Sequence, residues 1–375
     1  MAIPFNKPYM TGKETDYIQQ AVRSGHISGH GQFTKQCHQF FETQYGFQKV
    51  LLTTSCTDAL EMAAMLINLG PGDEVIAPSY AFVSTVNAFV LRGAKIIFCD
   101  SKVHHPSIDE DLIEPLITPR TKAIVLIHYA GAGCNMEKVM ALAKKYHLYV
   151  VEDAAQAVDA YYQNKPLGSF GHFGALSFHE TKNIISGEGG LLIINDATFN
   201  ARAEIIWEKG TNRSAFFRGE VDKYQWVDVG SSFLPSDMIA AFLYAQLENL
   251  RTIQDRRQRI WENYYQGLQH LEQKGDVQLP KLPPDTTNNA HMFYLVCRTL
   301  HERTDLIDFL KRRGIHAVFH YLSLHKSPYY RTQHDGRDLP HADRFSDCLL
   351  RLPLYYELTL EQVQFIISSI IEKFS

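Results

Sequence analysis

Four short segments carry residue types able to do chemistry, and each lies where an apolar run gives way to a turn. The first, Thr53-Thr54-Ser55-Cys56-Thr57-Asp58, sets hydroxyls at the start of a helical pattern. Free N–H groups at a helix start, with hydroxyls beside them, form an anion site; an ordinary Ser/Thr cap explains the same residues. The second, Val150 to Gln156, ends an apolar run on Glu152 and Asp153. Two carboxylates there are costly to bury unless partnered, and a capping acid before a helix is the plainer account. The third, Ser177-Phe178-His179-Glu180-Thr181-Lys182-Asn183, precedes Gly187-Glu188-Gly189-Gly190 and puts a lysine just after a strand pattern. Withdrawn from water, such an amine becomes a nucleophile, whereas most lysines are simply solvated. The fourth, Pro78 to Thr85, carries Phe82, which can stack on a planar ring or fill a core.

Other signals carry less. Gly168, Gly171 and Gly174 have the wrong spacing for a dinucleotide loop and precede a strand pattern instead of following one. His316 and His320 are four apart, but their segment reads as strand, so they need not share a helix face as metal ligands. His104-His105 reads as a surface turn. With no CxxC or HExxH motif, no metal is expected.

These segments need a scaffold, and residues 48–195 supply the pattern for one. Apolar runs at Lys49–Thr54, Glu74–Ala77, Lys95–Cys99, Ala123–Ile127 and Tyr149–Glu152 alternate with helical spacing at Thr57–Leu69 and Met136–Tyr146. That rhythm predicts an α/β fold with a largely parallel sheet covered on both faces. Such sheets bind ligands beyond the carboxyl ends of their strands, where the four segments fall. A large domain is expected over 1–235, including the N-terminal segment. A long helix follows from Ser236 to about Leu271, within a connecting segment 236–279. A small α+β domain is expected over 280–375, with strands at Met292–Cys297 and Ile315–His320 and helices at Thr304–Arg313 and Leu360–Phe374.

Composition narrows the function. The 375 residues hold 37 Lys plus Arg against 41 Asp plus Glu, a formal charge of −4, so the basic excess of a polyanion binder is missing and no nucleic-acid partner is expected. With 45% apolar residues the chain is globular. No apolar run approaches the ~18–20 residues of a membrane helix, and the first residues lack a signal-peptide order. Six scattered cysteines read as reduced thiols. A cytoplasmic location is expected.

Taken together, the segments resemble the DegT/DnrJ/EryC1/StrS family of sugar aminotransferases, pyridoxal-phosphate enzymes of aspartate-aminotransferase fold type I. The resemblance rests on Thr54–Thr57, Pro78–Phe82, Glu152–Gln156, Ser177–Asn183 and Gly187–Gly190 in family order, and it runs from Pro4 to Leu354. Glu208–Ser214, Phe216–Gly219, Val221–Tyr224, Asn289–Tyr294 and Ala317–Tyr321 are similar to the branch that makes dTDP-4-amino-4,6-dideoxygalactose. The resemblance implies that Lys182 forms the Schiff base with pyridoxal 5'-phosphate and moves the proton. It implies that Asp153 pairs with the pyridine nitrogen, Gln156 bonds the phenolic oxygen and Phe82 covers the ring. Ser55, Cys56, Thr57 and Ser177 would hold the phosphate. Many relatives carry Asn where this chain has Ser232, and that residue reaches the phosphate of a neighbouring subunit; a homodimer with shared sites is implied. Asn212, Arg213 and Arg218 are candidates for the partner's sugar site, against a solvated loop. His320, Tyr321 and His325 are candidates for lining the sugar pocket, against plain packing. The implied substrates are L-glutamate and dTDP-4-keto-6-deoxyglucose aminated at C4, or alternatively a 3-keto sugar. A dehydratase branch carries His at the lysine position, so Lys182 speaks against it.

Overall fold

The structure, a computed structural model, describes residues 2–375. Helices α1 (Glu14–Arg23) and α2 (Gln32–Tyr45) lead into β1 (Lys49–Thr53), α3 (Cys56–Leu66), β2 (Glu74–Pro78), α4 (Ser84–Val90), β3 (Lys95–Cys99), β4 (Thr121–Ile127), α5 (Met136–Tyr146) and β5 (Tyr149–Asp153). A two-stranded ribbon, β6 (Tyr161–Tyr162) with β7 (Lys165–Pro166), precedes β8 (Phe173–Ser177), β9 (Gly190–Ile194), α6 (Asn200–Trp207), α7 (Arg213–Phe217) and α8 (Asp237–Leu247). Seven strands form one sheet in the order β1-β9-β8-β5-β4-β2-β3. Only β9 runs against its neighbours, antiparallel to both β1 and β8, while the remaining pairings are parallel.

The continuous apolar strands are buried on both faces, as a helix-covered sheet requires. Val50, Leu52, Ile124, Leu126 and Val150 face α2, α5 and α8, against Phe41, Met136 and Leu243. Their alternate neighbours, such as Leu51, Val75, Val125 and Val151, face α3, α4 and α6, against Leu60, Phe89 and Trp207.

A second unit follows. Helix α9 (Leu250–Lys274), β10 (Val277–Gln278), β11 (Phe293–Cys297), α10 (Leu300–Arg312), β12 (Val318–Phe319), α11 (Pro340–Cys348), β13 (Leu349–Leu352) and α12 (Leu360–Phe374) surround a four-stranded antiparallel sheet, β10-β11-β13-β12. Its core gathers Tyr264 and Leu268, Leu306 and Leu310, Phe293 and Leu295, and Ile366 and Ile370.

Several sequence expectations change here. The long helix from Ser236 is broken at Glu248–Asn249, because the Asn249 side-chain amide donates to the Ala245 carbonyl (3.0 Å) and Asn249 N–H turns to Gln246 (3.0 Å). At the polar start of α9, Gln254 and Arg257 are buried. The strand expected over Ile315–His320 shrinks to Val318–Phe319, since the residues before it pair with the N-terminus instead. Ile3 N–H donates to Gly314 (2.7 Å), His316 N–H donates to Ile3 (3.0 Å), and Ile3 is buried in the small unit's core. The N-terminal segment therefore contributes to the second unit as well as the first. His105, expected in a surface turn, is buried, and burial pushes its pKa down to about 3, while His104 stays exposed.

The loop rich in glycines has a structural role. Glu152 is fully buried and accepts from the N–H groups of Gly168 (2.9 Å), Phe170 (2.7 Å) and Gly171 (2.6 Å), with the His128 ring at 2.8 Å. Gly168 sits at φ +95°, a conformation that lets the loop fold its N–H groups onto one carboxylate. Replacing Glu152→Gln turns an acceptor into a donor that faces donors. It is expected to cost about 2–4 kcal/mol, read as an earlier urea midpoint by tryptophan fluorescence; an unchanged midpoint would refute this role.

Candidate active site

A cavity of about 990 Å³ opens where the carboxyl ends of the large sheet meet the small unit. Four turns after strands supply one wall. After β1, Ser55 caps α3 by accepting from Asp58 N–H (3.1 Å), which leaves Cys56 and Thr57 N–H among the unpaired donors of a helix start. The capping and anion-site readings of this segment are therefore compatible. Cys56 remains a neutral thiol, because burial and the nearby Asp153 push its pKa well above the usual range. Beside α3 runs Gly190, the first residue of β9, so close that a Cβ there would collide with the Ser55 carbonyl carbon and Cys56 N. The Thr57 hydroxyl donates to Ser84 (2.8 Å), and Ser177, at the end of β8, also faces the cavity.

At the end of β5, Asp153 is buried and held by the Thr85 hydroxyl (2.6 Å) and Ala155 N–H (3.1 Å). Burial raises its pKa; those two donors and Lys182 hold it down. Gln156 accepts from Ala130 N–H (2.6 Å) and donates one amide hydrogen to Tyr321 (2.8 Å), with its second amide hydrogen still available. Phe82, 53% exposed, is not core: its ring flanks the cavity 6.0 Å from that of Tyr321.

Lys182 lies in the turn between β8 and β9, its N–H donating to His179 (2.9 Å). Its neighbour Asn183 is buried and anchors the turn, donating to Gln254 (2.8 Å) and to the Asn289 carbonyl (2.8 Å). Burial pushes the Lys182 amine below its usual pKa, Asp153 pulls it back, and Arg351 pushes it further down. The result is an amine easier to deprotonate than a surface lysine, facing a carboxylate across a cavity.

The structure brings Ser55, Cys56, Thr57, Phe82, Asp153, Gln156, Ser177, Lys182, His320 and Tyr321 into one cavity wall. It leaves five candidates outside. His325 is buried behind the wall, its Nδ1 2.7 Å from the Ser79 hydroxyl. Asn212 accepts from Gln225 N–H (2.7 Å), Arg213 lies over the Phe217 ring (5.2 Å), and Arg218 pairs with Glu204 (2.8 Å) and Glu220 (2.7 Å). Ser232 is exposed near this loop and bridges to Glu208. The sequence reading missed Thr85, His291 and Arg351. Thr85 closes the segment around Phe82, and Arg351 interrupts an apolar strand. No group of three or more metal-ligating side chains occurs among the described residues.

The donor set suits pyridoxal phosphate: a helix start with hydroxyls for the dianion, a buried carboxylate for a ring cation, and an amine able to lose its proton. The DegT/DnrJ/EryC1/StrS aminotransferase family model matches residues 8–371. The chain belongs to this family. As a member it is a pyridoxal-phosphate-dependent aminotransferase with the type I fold. It is similar to the aminotransferase TlmJ of Streptoalloteichus hindustanus, with 28% identity, TM-score 0.91 and coverage of 100% of this chain and 99% of that one. DesV of S. venezuelae is also similar, at 28% identity, TM-score 0.90 and 99% and 98% coverage. Spr1654 of Streptococcus pneumoniae, assigned as a sugar aminotransferase and solved in its PMP form, matches at 25% identity, TM-score 0.91 and 99% and 98% coverage. Because Gly190 lets β9 lie against the α3 start, Gly190→Ala is expected to weaken cofactor binding about tenfold, some 1.4 kcal/mol. Titration of the apoenzyme with pyridoxal phosphate reads this directly, and unchanged affinity would refute it.

Proposed function

We propose that this aminotransferase moves an amino group from L-glutamate to a nucleotide-linked keto sugar. The acceptor in this reading is C4 of dTDP-4-keto-6-deoxy-D-glucose, and the product is dTDP-4-amino-4,6-dideoxy-D-galactose. The observation that carries the reading is the shape of the site: Lys182 and Asp153 face a cavity of about 990 Å³, the upper end of the usual range for ligand pockets. That leaves room for a sugar nucleotide beside the cofactor. The family resemblance of the segments around Glu208–Tyr224 and Ala317–Tyr321 supplies the choice of sugar.

Bound pyridoxal phosphate supplies an electron sink that lets a C–H bond beside nitrogen give up its proton. The protein's part is to bind, orient and move that proton. In this reading Ser55, Cys56, Thr57 and Ser177 hold the phosphate and Asp153 keeps the ring nitrogen protonated. Gln156 fixes the ring with its second amide hydrogen, and Phe82 covers one face. Lys182 carries the cofactor between turnovers and, once released, carries the proton with its amine nitrogen. We place Ser232, Asn212, Arg213 and Arg218 in the service of a second copy. They stand away from their own cavity, beside the exposed Phe217, Tyr224 and Trp226, an aromatic patch suited to burial in a homodimer.

The test is a one-pot reaction with pyridoxal phosphate, L-glutamate and dTDP-4-keto-6-deoxyglucose, the product read by proton NMR. An axial amine at C4 is the expected outcome; an amine at C3 of an isomerised sugar, or no turnover, overturns the choice of substrate. Lys182→Ala is expected to abolish turnover and the lysine-bound absorbance band together. Because burial lowers the folded amine's pKa, the neutral form gains population below the ordinary 10.5. Combination of the apoenzyme with the cofactor should accelerate as pH rises and reach half its maximum rate below that value. A half-point at or above 10.5 would contradict the desolvated lysine.

A further inference from the structure

A buried pair behind the cavity wall has no part in the chemistry described so far. Ser79 follows β2, three residues before Phe82, and His325 follows the stretch that carries Tyr321, Leu322 and Leu324 into the cavity. Both are buried, and neither lines the cavity. Ser79 is gripped through three contacts. Its carbonyl accepts from Leu324 N–H (2.9 Å), its hydroxyl oxygen accepts from His325 N–H (3.3 Å), and that hydroxyl lies 2.7 Å from His325 Nδ1. Tyr80 and Ser323 form an antiparallel bridge beside them. On the far side of the ring, Nε2 faces Asp343 of α11 at 3.7 Å, too far for a hydrogen bond, and Asp343 pairs with Lys326 (2.6 Å).

Hydroxyl, imidazole and carboxylate stand in the order of an acyl-transfer triad, but Ser79 has no exposed surface and no substrate reaches it. These contacts hold the chain instead. Donor and acceptor roles follow from them. The Ser79 oxygen already accepts from a backbone N–H, so its own proton goes to Nδ1, and the neutral ring carries its hydrogen on Nε2, toward Asp343. A second proton on the ring would sit on Nδ1, turning an acceptor into a donor aimed at the same oxygen. The buried hydroxyl proton would then lose its acceptor. The charged and titratable groups facing the ring are Asp343, Lys326, Asp100 and His334, whose ring lies 5.0 Å away. Burial, with His334 and Lys326, holds the His325 pKa below the ordinary 6.5, against the pull of Asp343 and Asp100.

We propose that Ser79 and His325 form a clasp that sets the position of the Tyr321 wall opposite Phe82, and that the clasp opens when the imidazole takes a second proton. Both are positioning residues, acting on ligands only through residues 321–324 and the turn 79–82. Phe82 and Tyr321, whose rings stand 6.0 Å apart, come from the two sides that the clasp joins. A wall out of place leaves the reacting atoms untouched but lowers the fraction of molecules ready to bind, so it raises KM and spares kcat. The clasp stands on the geometry behind the wall and is independent of the choice of sugar.

The test is the glutamate half-reaction of the holoenzyme, read by cofactor absorbance, in wild type, His325→Leu, Ser79→Ala, their double variant and His325→Asn. At about pH 8, His325→Leu and Ser79→Ala should each raise KM about five- to thirtyfold, the range for one buried hydrogen bond lost, with kcat within about twofold. The double variant should be no worse than either, since both changes remove the same contact. Asparagine places its carbonyl oxygen where Nδ1 stood and does not titrate, so His325→Asn should stay within about threefold of wild type at that pH. As pH falls, wild-type KM should climb relative to that of His325→Asn, with its midpoint below 6.5. The ratio cancels titrations that substrate and cofactor impose on both proteins. Hydrogen exchange should quicken over residues 320–325 in His325→Leu, and in wild type relative to His325→Asn on acidification, with β11 and β13 unchanged. An intact lysine-bound absorbance band in each variant certifies the fold; should His325→Leu fail to fold, the pH ratio against His325→Asn still decides. A ratio flat with pH, a loss in kcat instead of KM, additive effects of the two single changes, or unchanged exchange overturns the clasp. Should wild type not react with glutamate, the donor assignment fails and the clasp is judged on hydrogen exchange, which uses no substrate.

Discussion

Two neighbouring carboxylates at the end of one buried strand set the terms for the rest of the molecule. Side chains alternate across a strand, so Glu152 and Asp153 must face opposite ways. Glu152 turns into the core, where three loop N–H groups and a histidine surround it. Asp153 turns toward the cavity, with only Thr85 and Ala155 as hydrogen-bond partners. One acid is saturated and the other deliberately left short of donors. That difference leaves the end of a structural strand with a carboxylate open to the cavity that Lys182, Gln156 and the α3 start also line.

The small unit completes the site through a few polar contacts. The Tyr129 hydroxyl lies 2.7 Å from His320, Gln156 meets Tyr321 at 2.8 Å, and Ser79 meets His325 at 2.7 Å. These three links fasten residues 320–325 to the turns after β2, β4 and β5. His320 and Tyr321 reach the cavity, whereas His325 holds the segment from behind. The same short stretch therefore divides between cavity-lining and supporting positions, a division set by tertiary contacts and invisible in its composition.

Much of this was legible in the sequence for physical reasons. The strands of the large sheet are short apolar runs bounded by turns, and β3 and α5 begin and end where periodicity places them. The cavity residues at the strand ends follow from the rule that such sheets bind ligands there. What escaped depends on partners distant in the chain. The β-pattern at Ile315 gave no hint that Ile3 would take its hydrogen bonds. Gln254 and Arg257 look solvated until Asn183, Ala290 and His291 are brought against them. The glycines at 168 and 171 take their meaning from Glu152, whose own spacing from them is uninformative.

The one antiparallel strand of the large sheet, β9, has a consequence for how the protein is made. β1 has no sheet neighbour except β9, so the α3 start that follows it cannot be seated against Gly190 until residues 190–194 have been synthesised. Ile3 waits longer still, for the segment at 314–316. The first-made parts of the chain are thus among the last to be docked, a non-local order of assembly that slows folding. A nascent chain stopped before β9 would display an apolar β1 with an unpaired edge, and it is there that a chaperone would be most useful.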